Sequence, residues 1–484
     1  MVIAIVAGIV AVALIGQAFI ALAFFISSIW EKEKRATLFA GLQLLVMAGL
    51  VIVFFLLITS GFFETGIGGS ILISAFILGT LTLVLLIRKT ATNPKVLQGT
   101  KGLIVGDVKR YDEREIVFAR NRSLRPGSEQ YKAFYRDHPE YEEYDAKRRI
   151  PGGISGRPGK IDIPFEGPNV AATLSSHIIP LSLSTADKVN PPAAPILRGN
   201  IVTLNPEEAT ERVKGFARHL GADLVGVTEV NPLWIYSHRG EIFHENWEDW
   251  GKEIEVGHKY AVVFAMEMSL EMIGPAPHTT ATIESNFNYA KGAYIAAQLA
   301  SFISNLGYTA TANHFRHYEA VLVPLAVDAG LGELGRIGFL VTREFGPRVR
   351  LGAVTTDLPL ITDQPVDIGV EDFCRICKKC ALCCPSGSIP PDNPREVNGT
   401  LRWKLNAESC FDYWGKVGTG CNICMRVCPW SHARTFPHQV IVGLVSRNMI
   451  ARRLFSLMDD LYYGKKPKPK APPKWAHFDA PSSS

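Results

Sequence analysis

Two runs decide the reading: Cys374-Arg375-Ile376-Cys377-Lys378-Lys379-Cys380-Ala381-Leu382-Cys383-Cys384-Pro385 and Cys421-Asn422-Ile423-Cys424-Met425-Arg426-Val427-Cys428-Pro429. The first has the spacing Cys-x2-Cys-x2-Cys-x3-Cys-Pro. The second repeats its latter part, with Cys410 standing ahead of it. Thiolates this close on a tight turn bind several irons of one cube, while the cysteine before proline reaches the neighbouring cube. Cys374, Cys377, Cys380 and Cys428 are thereby expected to hold one [4Fe–4S] cluster, and Cys384, Cys410, Cys421 and Cys424 a second. Structural zinc rarely takes eight cysteines in this interdigitated order with two Cys-Pro ends. Cys383 is left over as a bystander thiol.

All nine cysteines of the 484-residue chain lie between Cys374 and Cys428. A disulfide framework spreads its cysteines over the domain it staples. Confinement to one segment points instead to a cofactor in a reducing compartment. The net charge of +5 is too small to argue for a nucleic-acid partner, and no basic run interleaved with aromatics suggests base stacking.

Three apolar stretches open the sequence, at about Val2 to Ile29, Ala36 to Phe63 and Ile71 to Ile87. Each reaches the roughly 17 to 25 residues that cross a bilayer core. None carries an ionisable side chain, so they are expected to anchor and to contribute no proton relay or haem ligand. No basic n-region or twin arginine precedes the first, which argues against a cleaved leader. Lys32, Lys34 and Arg35 separate the first two spans, and Arg88, Lys89, Lys95 and Lys101 follow the third. The positive-inside rule then predicts a multi-pass protein of the cell inner membrane, its C-terminal part cytoplasmic.

The stretch 89–200 is polar and rich in Arg, Gly and Pro, including Arg148-Arg149-Ile150-Pro151-Gly152-Gly153, and is expected to be a linker and partly wrapped arm. From Asn205 onward the pattern turns globular. Helices are expected over Glu207–Leu220 and Ser285–Leu306, and strands over Ala222–Val227, Tyr260–Met266, from Tyr308, and over Val349–Thr355, the second of them continuously apolar. Strands alternating with helices predict an α/β layered core over 201–365. The cysteine-rich domain follows at 366–440, then an extension over 441–484 with an extended Lys/Pro tail, Lys465 to Lys474. No dinucleotide or P-loop glycine fingerprint is present; Gly330-Leu331-Gly332-Glu333-Leu334-Gly335 lacks the helix and acid that such a motif needs.

A series of local motifs runs through the same region. They are Gly221-Ala222-Asp223-Leu224-Val225-Gly226-Val227, Asn231-Pro232-Leu233-Trp234-Ile235-Tyr236-Ser237, Tyr289, Leu306-Gly307-Tyr308 and Ala329-Gly330-Leu331-Gly332-Glu333. Glu344-Phe345-Gly346-Pro347-Arg348-Val349-Arg350-Leu351, Thr356-Asp357-Leu358-Pro359-Leu360 and Tyr413-Trp414 continue it. Over roughly residues 105 to 465 the chain resembles corrinoid-dependent reductive dehalogenases and, more remotely, epoxyqueuosine reductases. The resemblance implies a nitroreductase-like corrinoid-binding core followed by a ferredoxin-like domain. It further implies a cobamide held base-off near one cluster and removal of halide from an organohalide with two electrons and one proton, fed by an unidentified low-potential donor.

By the same resemblance Tyr289 is the expected proton donor and Arg350 the cation beside it. A phenol is a weak acid at neutral pH, but a guanidinium stabilises the phenolate as the proton leaves. Tyr294 is the competing donor. Trp414, Asn313 and Trp234 are the expected substrate-pocket residues. Respiratory members of the family carry a twin-arginine signal and a separate anchor protein, and this chain departs from both. Two other readings remain: a membrane-bound two-cluster electron carrier without catalysis, and an epoxyqueuosine-reductase-like epoxide reductase. The carrier reading leaves the α/β core without a task, and the reductase family uses an acidic donor where this chain has a tyrosine.

Overall fold

The computed structural model describes residues 1–90, 92–149, 168–194 and 202–476. The Ile150-Pro151-Gly152-Gly153 run of the expected arm and the end of the tail lie outside them. Two compact units are formed, one from Met1–Thr92, Asp372–Cys377 and His432–Lys468, the other from Asn93–Glu371, Lys378–Ser431 and Pro469–Ser484.

The first unit is helical. Val2–Trp30, Lys34–Thr59 and Gly66–Ile87 are each long and apolar enough to cross a membrane. Their leucine, isoleucine and phenylalanine side chains point outward to a degree that only a lipid environment satisfies. Two further helices, Phe436–Val445 and Met449–Tyr462, pack with them. Asn448 caps the second of these on Ala451 N and donates to the carbonyls of Leu85 and Arg88 at the end of the third span. The first span ends on a polar cluster: buried Glu31 accepts from Ser27 and lies 3.5 Å from His438 Nδ1. Arg452 pairs with Asp372 at 2.6 Å, pinning the segment that carries Cys374 and Cys377.

The second unit is built on a four-stranded sheet in the spatial order Leu224–Glu229, Tyr260–Glu267, Val349–Thr356, Ala310–Asn313. Strand Tyr260–Glu267 is covered on both faces. Val262, Phe264 and Met266 enter one core with helices Pro206–His219 and Thr280–Asn305, while Ala261, Val263 and Ala265 enter another with helix Leu322–Asp328. The two-residue side-chain period explains why its sequence reads as uninterrupted hydrophobicity. Phe264 faces Gly352 in register, and a Cβ at Gly352 would come within 2.5 Å of the Phe264 ring.

All three strand pairings are antiparallel. Helix Thr280–Asn305 returns the chain to a non-adjacent edge strand, and Val349–Thr356 enters between, so direction reverses at each neighbour. Part of the stretch expected as linker is also folded. Ala119, Leu124, Phe134 and Tyr135 form a small core with Ile242 and Trp250. The charges that made it look solvated are spent internally: Arg120 is buried on Asp145 at 2.7 Å and reaches Glu408 at 2.8 Å.

Candidate active site

Helix Thr280–Asn305 presents Thr282, Ser285, Asn286 and Tyr289 to one cavity of about 550 Å³. Their spacing places them on one helical face, one turn apart. Tyr294, five residues on, falls on another face, is 44% exposed and does not line the cavity. Strand Val349–Thr356 contributes Arg350, opposite Met266 in register and on the sheet face that carries the helix. Its Nη2 donates to Ser285 Oγ at 3.0 Å, and its Cζ lies 5.3 Å from the Tyr289 ring centroid. On the other side Phe315 stacks on Tyr289, with centroids 4.3 Å apart and planes 15° from parallel. The phenol is thus held between a guanidinium and an aromatic face.

Trp414, from helix Ala407–Val417, lines the same cavity and packs against Phe118 at 5.4 Å. The other two expected pocket residues do not line it. Asn313 is fully buried, its Oδ1 accepting from Glu319 N and Ala320 N at 2.8 and 3.2 Å. Its carboxamide is consumed in closing the 313–320 loop, so it positions Phe315 instead of touching a ligand. Trp234 packs in the core beside helix Leu322–Asp328 and donates from Nε1 to Thr100 Oγ1 at 2.9 Å. Phe118, Arg122, Glu241, Phe315, Arg316 and Phe411 also line the cavity and were not anticipated. Phe411 stands between Cys410 and the Tyr413-Trp414 motif; the others come from segments that carry no quoted motif.

A second cavity, of about 240 Å³, shares Tyr289, Tyr318 and Arg350 with the first. It is otherwise walled by Tyr236, by apolar side chains of 320–323 and 339–351, and by Met425. Met425 directly follows Cys424. Burial, reinforced by each other's charge, pushes Cys410 up to about 12 and Cys421 up to about 11, and holds Cys424 well above the thiol range, with Cys384 among the interacting thiols of all three. Cys384, Cys410, Cys421 and Cys424 thus interact with one another, and they are the set expected to hold one cluster.

Two motif residues prove to be braces. Arg348, almost fully buried, donates to Ser431 O at 3.0 Å and to Glu267 Oε1 at 3.0 Å, tying the Arg350 strand to the turn after Cys428. Glu333 accepts from Ile368 N, Val370 N and Glu371 N, just ahead of the first cysteine run. Burial nevertheless raises its carboxyl to about 7.

No family model matches the chain. Among curated proteins it is 34% identical over 296 residues to a tetrachloroethene reductive dehalogenase of Sulfurospirillum multivorans, covering 54% of this chain and 58% of that one. Over 277 residues it is 34% identical to the tetrachloroethene reductive dehalogenase of Desulfitobacterium hafniense, covering 48% and 50%. The catabolic reductive dehalogenase NpRdhA, solved with 3-bromo-4-hydroxybenzoic acid, superposes with a TM-score of 0.60 at 27% identity, over 78% of this chain and 49% of that one. The chain is a relative of the reductive dehalogenases. It spans 50% and 58% of the length of these two curated dehalogenases. An epoxyqueuosine reductase of Lactococcus garvieae is 34% identical over 114 residues, 22% of this chain.

Proposed function

We propose that this reductive-dehalogenase relative is itself a dehalogenase. It would replace a carbon–halogen bond of an organohalide by a carbon–hydrogen bond, consuming two electrons and one proton and releasing halide. The observation that carries the reading is the arrangement of two cavities around Tyr289, Tyr318 and Arg350, the smaller one walled by the residue next to Cys424. A nitroreductase-like core and a ferredoxin-like two-cluster domain are the finer description of the fold that goes with it.

The smaller cavity suits the edge of a base-off cobamide. Apart from Arg350 its walls are apolar or phenolic, and no histidine is among the described residues lining it. Cys384, Cys410, Cys421 and Cys424 would hold the [4Fe–4S] cluster on that side, and Cys374, Cys377, Cys380 and Cys428 the other. The cobamide, when bound, supplies the two-electron reduction at the halogen-bearing carbon.

The chain's own residues do the rest. Phe118 and Trp414 present aromatic faces along the larger cavity, excluding water and orienting a planar or apolar substrate. The Tyr289 hydroxyl delivers the proton to carbon. Arg350 lowers the cost of that transfer by stabilising the phenolate left behind, and Ser285 fixes the guanidinium in place. The three N-terminal helices anchor the chain, and the charge bias of their loops supports a catalytic part on the cytoplasmic side of the inner membrane.

The test is anaerobic reconstitution of the detergent-solubilised full chain with iron, sulfide and cobalamin, followed by measurement of halide release from a panel of aryl and alkyl halides. Bound corrinoid and halide release are expected. Well-loaded clusters with no corrinoid retained would leave an electron carrier and sink the proposal.

A further inference from the structure

Helix Met449–Tyr462 has two apolar faces, and the fold covers one of them. On the covered face Met458 and Tyr462 pack with Phe24 of the first span and with Ala36, Phe39 and Ala40 of the second. Ile450, Leu454, Leu457 and Leu461 recur at the four- and three-residue steps that place side chains on one side of a helix. This second face is open: Leu457 is 70% exposed, and the other three are at least 40% exposed.

Hydrogen bonds at both ends fix the level of this helix on the spans. Its cap, Asn448, donates to Leu85 O and Arg88 O at the end of the third span, at 2.6 and 2.7 Å. At its other end Leu461 O accepts from Arg35 Nε, in the first turn of the second span, at 2.9 Å. The Tyr462 hydroxyl donates to Gln43 Oε1 at 2.6 Å, and Gln43 lies nine residues beyond Lys34, about 14 Å along that span. The start of the second span and the end of the third are the two ends that basic residues flank, so both belong to one side of the membrane. Trp30, which closes the first span on the same side, is 72% exposed, as tryptophans at a membrane boundary are. The helix is 14 residues and about 21 Å long, and it joins these span ends where acyl chains give way to headgroups. Arg447 and Arg453, both exposed, suit the anionic headgroups there.

We propose that helix Met449–Tyr462 is a further membrane element, lying along the bilayer surface with Ile450, Leu454, Leu457 and Leu461 sunk into the boundary between headgroups and acyl chains. Continuity with the spans is what names the occupant: a bilayer that surrounds them meets this stripe at the same level. The helix also holds Asp372 through Arg452, two residues ahead of Cys374. Lipid beneath the stripe therefore steadies the start of the first cysteine run. The inference rests on anchoring by the three spans and is independent of the dehalogenase reading.

The experiment places the photo-crosslinker p-benzoylphenylalanine at Leu454 or at Leu457 of the cluster-loaded full chain. The protein is held in vesicles of phosphatidylethanolamine and phosphatidylglycerol, irradiated anaerobically, and its adducts are identified by mass spectrometry. Leu50, well inside the second span and 48% exposed, serves as the lipid-facing reference, and Glu143, on the polar helix Pro139–Arg149, as the background. Phospholipid adducts are expected at both test positions, several-fold above the Glu143 level and close to that of Leu50. Their absence at 454 and 457 while Leu50 gives them would overturn the proposal and leave the anchor standing. Absence at all three positions would overturn it together with the anchor. Crosslinks to a second protein chain in place of lipid would overturn it as well, making the stripe a protein interface.

Discussion

The role proposed for Tyr289 rests on two neighbours that no spacing rule connects to it, Arg350 from a strand 61 positions later in the numbering and Phe315 from a loop. Its loss is expected to remove the proton donor and nothing else. Tyr289→Phe should lower halide release by about 10²-fold or more, with cluster and corrinoid spectra unchanged, whereas Tyr294→Phe should keep native rates. Full activity in the first variant would assign the proton to another group. Glu113 supports a prediction of a different kind. It is buried, accepts from Gly240 N at 2.7 Å, and burial raises its carboxyl to about 8. An acid whose folded pKa lies above its unfolded value binds more protons when folded. Its contribution is therefore full below about 4.5 and is lost as pH rises towards about 8. The slope is at most about 1.4 kcal/mol per pH unit. Chemical denaturation across that window should give a flatter pH profile for Glu113→Gln than for the native chain.

The helices of the polar N-terminal stretch are held by charge where the central strands are held by apolar area. Glu129–Asp137 and Pro139–Arg149 surround Asp145, which is fully buried and accepts from Arg120, Asn121 and Tyr135. Burial disfavours its ionisation, but these donors, Arg120 foremost, hold its carboxyl below the usual range. Arg120 and Arg148 carry the same network to Glu408, on the helix that also bears Trp414. Asp145→Ala leaves two buried guanidinium groups short of a partner, and a cost of about 3–5 kcal/mol is expected. Thermal melting of the loaded protein measures it, and a shift no larger than that of an exposed control such as Glu143→Ala would show the network to be dispensable.

At the scale of the whole molecule, three apolar helices and a cysteine-rich part share one chain. The chain is expected to stay with the membrane fraction through alkaline carbonate washing, because the spans expose apolar surface along their length. A reporter fused after Lys474 should be protected on the cytoplasmic side of intact cells; its accessibility from outside would reverse the orientation.

Much was legible beforehand because its physics is local. The three spans declare themselves by unbroken apolarity, and Tyr260–Glu267 by hydrophobicity on both faces of one strand. Pro206–His219 also announced itself, with Asn205 as a cap accepting from Glu208 N and proline at its first position. Among the described residues the tail from Lys465 has regular structure only at Lys474–Ala476. What escaped was non-local. Asn313 and Trp234 have the chemistry of pocket residues, yet a loop closure and a hydrogen bond to Thr100 claim them. Arg122, Glu241 and Arg316 carry no motif, and only the packing of three distant segments brings them to one cavity. Composition made the residues before Asn205 look like a solvated linker, because a list of charges does not say which are paired with each other. The sequence by itself thus determined the membrane-length helices and the strands of the core, whose residues declare themselves within a few positions. Only the tertiary structure decided which side chains surround Tyr289 and what charge they present, since that depends on contacts between residues far apart in the chain.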